Sequence, residues 1–284
     1  MRNDSRFSTT AVWVSCLRGL AGLAREPLVS DPFAEHLVPA GYATLLRSAR
    51  RAPRPWLHSV QAGIARASSQ RHSWITFRTR AIDDAIAEAV ARGVEQVVLL
   101  GAGLDARAYR MAGLERATVY EIDHPATQAY KRARIAAFEP RAAQHRFVGV
   151  SFEHDCLESA LATSGHDASR PTVFVWEGVT NYLSPEAIEQ VLGAVARRSA
   201  SGSVLLMTYC RPSKHLAEHR FAAALVRRAG EPYRTMMSPS GACETVGAHG
   251  YRVVSDEGYP EWARKYRGHT VTWDYERLVH AVRA

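Results

Sequence analysis

The sequence has no apolar run of 18 residues or more, few cysteines and almost no lysine. The first shortage excludes a membrane-spanning helix, which needs about 20 consecutive apolar residues. Met1 to Thr10 is polar and lacks the apolar core of a secretory signal, so a cytoplasmic protein is expected. The four cysteines, Cys16, Cys156, Cys210 and Cys243, lie far apart with no CxxC pair. They read as reduced thiols, and neither a disulfide framework nor a metal site is expected. Lysine occurs only at Lys131, Lys214 and Lys265, so the net charge of +8 is arginine charge. Its densest cluster, Arg47, Arg50, Arg51 and Arg54, reads as a solvated basic surface. Nucleic-acid binding would need a basic face with aromatic or helix-in-groove partners, so no nucleic-acid partner is expected. An acidic small molecule or a carrier-bound substrate suits the charge equally well.

A chain of 284 residues that is 46% hydrophobic suffices for one large α/β domain with elaborations. Its organising stretch is Glu95 to Arg110, where the apolar run Val97-Val98-Leu99-Leu100 ends at Gly101-Ala102-Gly103. An apolar run without alternation suits a strand buried on both faces of a parallel sheet. Glycines there let backbone turn tightly and approach a ligand, and a helix starting beyond them would point free N–H groups at it. Gly101, Gly103 and Ala106 fit G-x-G-x-x-G/A, a pattern that also marks dinucleotide-binding sheets. A second expected strand, Ala117 to Asp123, ends in carboxylates; Asp123 lies where it can bind the two hydroxyls of a ribose.

Residues 1–93 read as a mainly helical cap with a lead-in helix, and 94–284 as a doubly wound, Rossmann-like core in the same domain. Ser8 offers an N-cap for a helix over Ala11 to Leu23, and Asp31 before Pro32 offers a second start. Arg50 to Trp56 reads as an exposed loop. A third helix over Trp74 to Ala91 ends at Gly93. Strands are expected at 96–101, 117–122, 145–150, 172–177 and 203–210, with helices at 124–138, 154–164 and 185–199. The segments 251–255 and 270–274 are expected to form a terminal hairpin.

The run Gln96 to Asp105 with Arg107-Ala108-Tyr109-Arg110 resembles the leucine carboxyl methyltransferase family. The bacterial branch, with polyketide O-methyltransferases of the tetracenomycin type, is the nearest likeness. Arg78 to Asp83, Glu121 to Gln128 and Trp176 to Leu183 match further blocks of that family. The resemblance implies a class I S-adenosylmethionine-dependent methyltransferase with a mostly parallel sheet and one antiparallel strand near its C-terminal edge. It implies that Arg78, or Arg80 if the register shifts, pairs with the methionine carboxylate of the cofactor, and that Arg18 also reaches it. By the same resemblance Gly101 and Gly103 bring backbone against the cofactor, Asp123 holds the ribose hydroxyls, and Glu177 lies beside the methionine amino group. An arginine fork suits a carboxylate, and carboxylates suit an ammonium and a diol. Glu121 reads either as a site carboxylate or as a structural one.

One position departs from the family. Relatives carry Asp-Phe at the end of the third strand where this chain has Ser151-Phe152. Ser151, or Asp155 reaching in, would then meet the adenine amino group, and Phe152 would pack on adenine. The expected acceptor is a carboxylate of a small natural product such as a polyketide; a phenolic hydroxyl is the alternative, with a histidine as base. His124, His215, His219, His249 and His269 are the histidines weighed for that role, and no catalytic residue is assigned. Trp13, Trp56 and Trp74 are candidates for the acceptor pocket or for the core. Rival readings are a nicotinamide-dependent oxidoreductase on a similar sheet, a basic nucleic-acid-binding protein, and a fold keeping the cofactor structurally.

Overall fold

The computed structural model describes residues 7–53, 74–212 and 232–284. Its centre is a seven-stranded sheet in the order β3-β2-β1-β4-β5-β7-β6. The strands are β1 (Gln96–Leu100), β2 (Thr118–Asp123), β3 (Gln144–Gly149), β4 (Thr172–Trp176), β5 (Val204–Cys210), β6 (Tyr251–Gly258) and β7 (Glu276–Arg283). The first five pair in parallel, and β7 runs antiparallel to both β5 and β6.

The helices are α1 (Thr9–Ala21), α2 (Ala34–Leu37), α3 (Ala40–Arg51), α4 (Trp74–Ala91), α5 (Arg107–Arg110), α6 (Pro125–Ile135), α7 (Leu157–Thr163), α8 (Pro185–Arg197), α9 (Pro239–Ala248) and α10 (Tyr259–Arg267). The central strands are buried on both faces, and alternate residues feed two cores. Val97, Leu99, Val173 and Val175 pack with α1, α2, α4 and α10, whereas Val98, Leu100, Phe174 and Trp176 pack with α8 and α9. The N-terminal helices therefore share a core with the sheet. Starts follow cap chemistry: Ser8, Ser184 and Ser238 side chains accept from backbone N–H groups of α1, α8 and α9.

Four expectations are corrected. The segment after the glycines forms only the four-residue α5, because the Asp105 side chain accepts the Arg107 N–H (2.7 Å) and its backbone serves Lys131. Asp31 starts no helix; its carboxylate pairs with Arg18, and α2 begins at Ala34. Arg50 and Arg51 lie in α3, not in a loop, and with Arg47 they are exposed, a solvated basic face. Residues 270–274 form no strand; α10 intervenes after β6, and the partner of β6 is β7. Trp56, His215 and His219 lie outside the described residues. Among the described residues no helix is long and apolar enough to cross a membrane.

Glu121 proves structural. It is buried on β2 in an ion pair with the buried Lys131 of α6, and His145 Nε2 lies 2.9 Å from its other oxygen. Lys131 also donates to the Asp105 carbonyl, which fixes the loop after the glycines. Removing one member of a buried pair leaves an uncompensated charge, at a cost of about 3–5 kcal/mol. Lys131→Met should therefore lower stability in denaturant titration by about 3 kcal/mol, and adding Glu121→Leu should recover most of it.

Candidate functional site

Sheet order sets the sequence candidates side by side along the C-terminal edge of the strands. Phe152 and Ser151 follow β3, Asp123 ends β2, Gly101 and Gly103 follow β1, and Glu177 follows β4. The β1–β4 boundary is where the connections reverse direction, the usual ligand crevice of such sheets.

Gly101 has φ +71°, and a Cβ there would collide with Val179 Cγ2, so no side chain fits. Its N–H donates to the Ile122 carbonyl at 2.7 Å, which ties the turn to β2. Gly103, at φ +52°, donates its N–H to Asp123 Oδ2, and a Cβ there would press on Ala11 of α1 at 3.0 Å. Asp123 Oδ1 accepts the His124 N–H at 2.6 Å. Ser151 is half-buried, and its backbone N–H donates to Asp155 Oδ2 at 2.7 Å. Phe152 packs at the margin of the α8-side core.

On the other side of the glycines lies a charged cluster. Arg78 of α4 donates from Nε to Glu177 Oε1 at 2.9 Å, and from Nη1 to both carboxylate oxygens of Glu276 at 2.7 Å. Arg107 donates from Nη1 to Glu177 Oε2 at 2.7 Å and to Asp105, and from Nε to Asp83 at 2.6 Å. Arg110 closes the group onto Asp83 at 2.7 Å. Glu177 is thus gripped by one guanidinium on each oxygen. Burial would raise its pKa, but Arg107 and then Arg78 hold it down from 4.5 to about 2. Asp105 is held well below the carboxylate range by the same opposition, with Arg107 its main counter-charge. Burial pushes Glu276 above its ordinary value although Arg78 opposes it.

Arg78 is the arginine that joins this cluster. Arg80 is exposed and pairs with Asp84. Arg18 is buried, paired with Asp31 at 3.2 Å, and donates from Nη2 to the Leu104 carbonyl at 2.8 Å, so it braces the glycine loop. Trp74 packs its ring 4.7 Å from the Arg78 guanidinium carbon, whereas Trp13 hydrogen-bonds Tyr42 at the surface. His124 caps α6, and His249 caps α9. His269 meets Phe77 edge-on at 6.4 Å.

Asp83, Asp105, Arg107 and Arg110 lay inside the matched blocks, where the spacing Asp-x-Arg-x-x-Arg was the signal available. Glu276 had none. The donor set fits S-adenosylmethionine. Nη2 of Arg78 makes no hydrogen bond to a described residue, and Nη2 of Arg107 is buried without a partner among them, leaving donors for an incoming carboxylate. Glu177 carries a negative charge beside them, as an ammonium would require.

The sequence profile of leucine carboxyl methyltransferase matches residues 11–196. A Mycobacterium avium protein named "Putative S-adenosyl-L-methionine-dependent methyltransferase" is 38% identical over 207 residues, which is 71% of this chain and 66% of that relative. A Mycobacteroides abscessus protein of the same name is 32% identical over 92% of this chain and 88% of its own length. Two solved structures share the fold. A DUF574 family protein from Streptomyces avermitilis has TM-score 0.63 at 14% identity, over 99% of each chain. A Thermobifida fusca structure described as a putative methyltransferase has TM-score 0.61 at 18% identity, over 98% of this chain and 95% of that one.

The chain belongs to the leucine carboxyl methyltransferase family and is an S-adenosylmethionine-dependent methyltransferase, not a nicotinamide oxidoreductase. Because the folded pKa of Glu177 is depressed, its stabilisation is present above 4.5 and is lost as pH falls toward about 2. Glu177→Gln should be less stable than native protein at about pH 6, with the gap narrowing on acidification. Urea midpoints measured across that range check it.

Proposed function

We propose that the enzyme transfers a methyl group to a carboxylate oxygen of a small natural product, with a polyketide acid as the type of acceptor. Arg78 and Glu177 would hold the methionine carboxylate and ammonium of the cofactor, with Arg18 bracing the loop between them. Asp123 would hold the ribose hydroxyls, Gly101 and Gly103 would admit the cofactor against backbone, and Ser151 and Phe152 would border the adenine. When bound, the cofactor supplies an electrophilic methyl group on a sulfonium, which passes to the acceptor oxygen as the carbon–sulfur bond breaks.

The family description carries the choice of a carboxylate, and one group of side chains is consistent with it. Three titratable groups near Glu276 are kept protonated: Cys210 at the end of β5, Tyr275 just before β7, and Tyr233 before α9. Burial pushes Tyr233 up to about 12, and it pushes Cys210 and Tyr275 up as well. These three groups offer no general base for a neutral acceptor. A carboxylate is already ionised at neutral pH, whereas a phenol with a pKa near ~10 needs a base. Positioning and exclusion of water are then the contributions asked of the protein. The family's own description names a carboxyl group as acceptor. We place the reaction in the cytoplasm, where Cys16, Cys156, Cys210 and Cys243, all free in this structure, stay reduced. A free or carrier-bound acid fits the reading.

Two measurements test it. Calorimetric titration with S-adenosylhomocysteine should give binding to native protein that weakens at least ~10-fold in Asp123→Ala, the loss of about 1.4 kcal/mol. With methyl-labelled cofactor and paired panels of carboxylic acids and phenols, the labelled product should release methanol in mild alkali, as an ester does. An alkali-stable product would make the acceptor a hydroxyl.

A further inference from the structure

Glu276 is a buried carboxylate that the assignment above leaves without a role. It opens β7 opposite Cys210 in the sheet, and it is 198 residues from Arg78 in the chain, yet both its oxygens accept from Arg78 Nη1 at 2.7 Å. Thr208 also hydrogen-bonds Glu276, and the Thr208 hydroxyl oxygen accepts the N–H of Gly178, next to Glu177. Glu276 therefore grips one end of the guanidinium whose Nε edge rests on Glu177, and Nη2 is left without a bond to a described residue.

The charge count of the cluster gives this grip a consequence. Arg78, Arg107 and Arg110 are linked to Asp83, Asp105, Glu177 and Glu276, three cations against four anions. Arg18 is cancelled by Asp31, and Lys131 by Glu121. Without Glu276, Glu177 would sit between two guanidiniums in a neutral cluster and would offer little attraction to a cation. Charges in a buried site interact far more strongly than in water. S-adenosylmethionine carries a carboxylate, an ammonium and a sulfonium, a net +1, whereas the product S-adenosylhomocysteine carries no sulfonium and is neutral overall.

We propose that Glu276 is a positioning residue that neutralises Arg78, keeps the cluster around Glu177 net negative, and so biases the site toward the sulfonium cofactor over its thioether product. The inference rests on the assignment of the cofactor site above. It makes Glu276 a determinant of product release, since the site loses its electrostatic complement each time the methyl group departs.

The test compares affinities for S-adenosylmethionine and S-adenosylhomocysteine by calorimetry at about pH 8, a pH chosen to favour the ionised form of Glu276, which burial pushes above its ordinary value. Glu276→Gln should shift the ratio of the two affinities about tenfold against the cofactor, about 1.4 kcal/mol. Glu276→Asp, which keeps the charge, should leave the ratio near native even where both ligands bind more weakly. A purely structural role would weaken both ligands by the same factor. Asp105→Asn removes a carboxylate from the other side of Glu177 and should move the ratio the same way, which keeps the test available if Glu276→Gln does not fold. A native ratio in both neutral variants overturns the proposal. If native protein binds both ligands and Asp123→Ala weakens them, that result leaves the site assignment standing; if native protein binds neither, the assignment fails and the proposal with it.

Discussion

A carboxylate buried between two guanidiniums, Glu177 between Arg78 and Arg107, ties separate segments of the chain together at the edge of the sheet. Arg78 comes from α4 in the helical N-terminal part, Arg107 from the turn after the glycines, and Glu177 from the end of β4. A buried arginine is tolerated only where its charge is matched and its N–H groups are largely satisfied. Each arginine therefore demands further acids, Glu276 for one and Asp83 with Asp105 for the other. The network that results holds the cap, the glycine loop and the C-terminal strand in one geometry. Such a pre-set arrangement spares the binding energy otherwise used to organise side chains around a ligand.

The glycine loop is the other fixed part. Gly101 is shut against Val179, Gly103 is bonded to Asp123, and Arg18 and Lys131 hold the carbonyls of Leu104 and Asp105. Two cations grasping consecutive carbonyls explain why the loop runs on past the glycines before the short α5 begins. The loop is shaped by its neighbours more than by a helix dipole.

Much of this was legible because it is local. The apolar runs gave β1, β2 and β4 to within a residue, and the stripe of Ile75, Ile82 and Ile86 gave α4 its bounds. The candidates Gly101, Gly103, Asp123 and Glu177 fall together because parallel strands put their C-terminal ends on one edge, so a motif at each strand end becomes a neighbour of the next. What the sequence hid depends on distant partners. Thr270 to Asp274 has β-forming residues, but the edge of β5 is taken by Glu276 to Arg283, whose mixed composition reads poorly as a strand. Glu276 itself is indistinguishable from a surface glutamate until the sheet brings Arg78 to it.

A crystal structure with S-adenosylhomocysteine bound tests the central claim most directly. The account predicts the amino-acid end between Arg78 and Glu177, with the carboxylate on the guanidinium side, the ribose hydroxyls on Asp123, and Glu276 still on Nη1 of Arg78. A product molecule seated away from Glu177, or one whose carboxylate displaces Glu276 from Arg78, would contradict it.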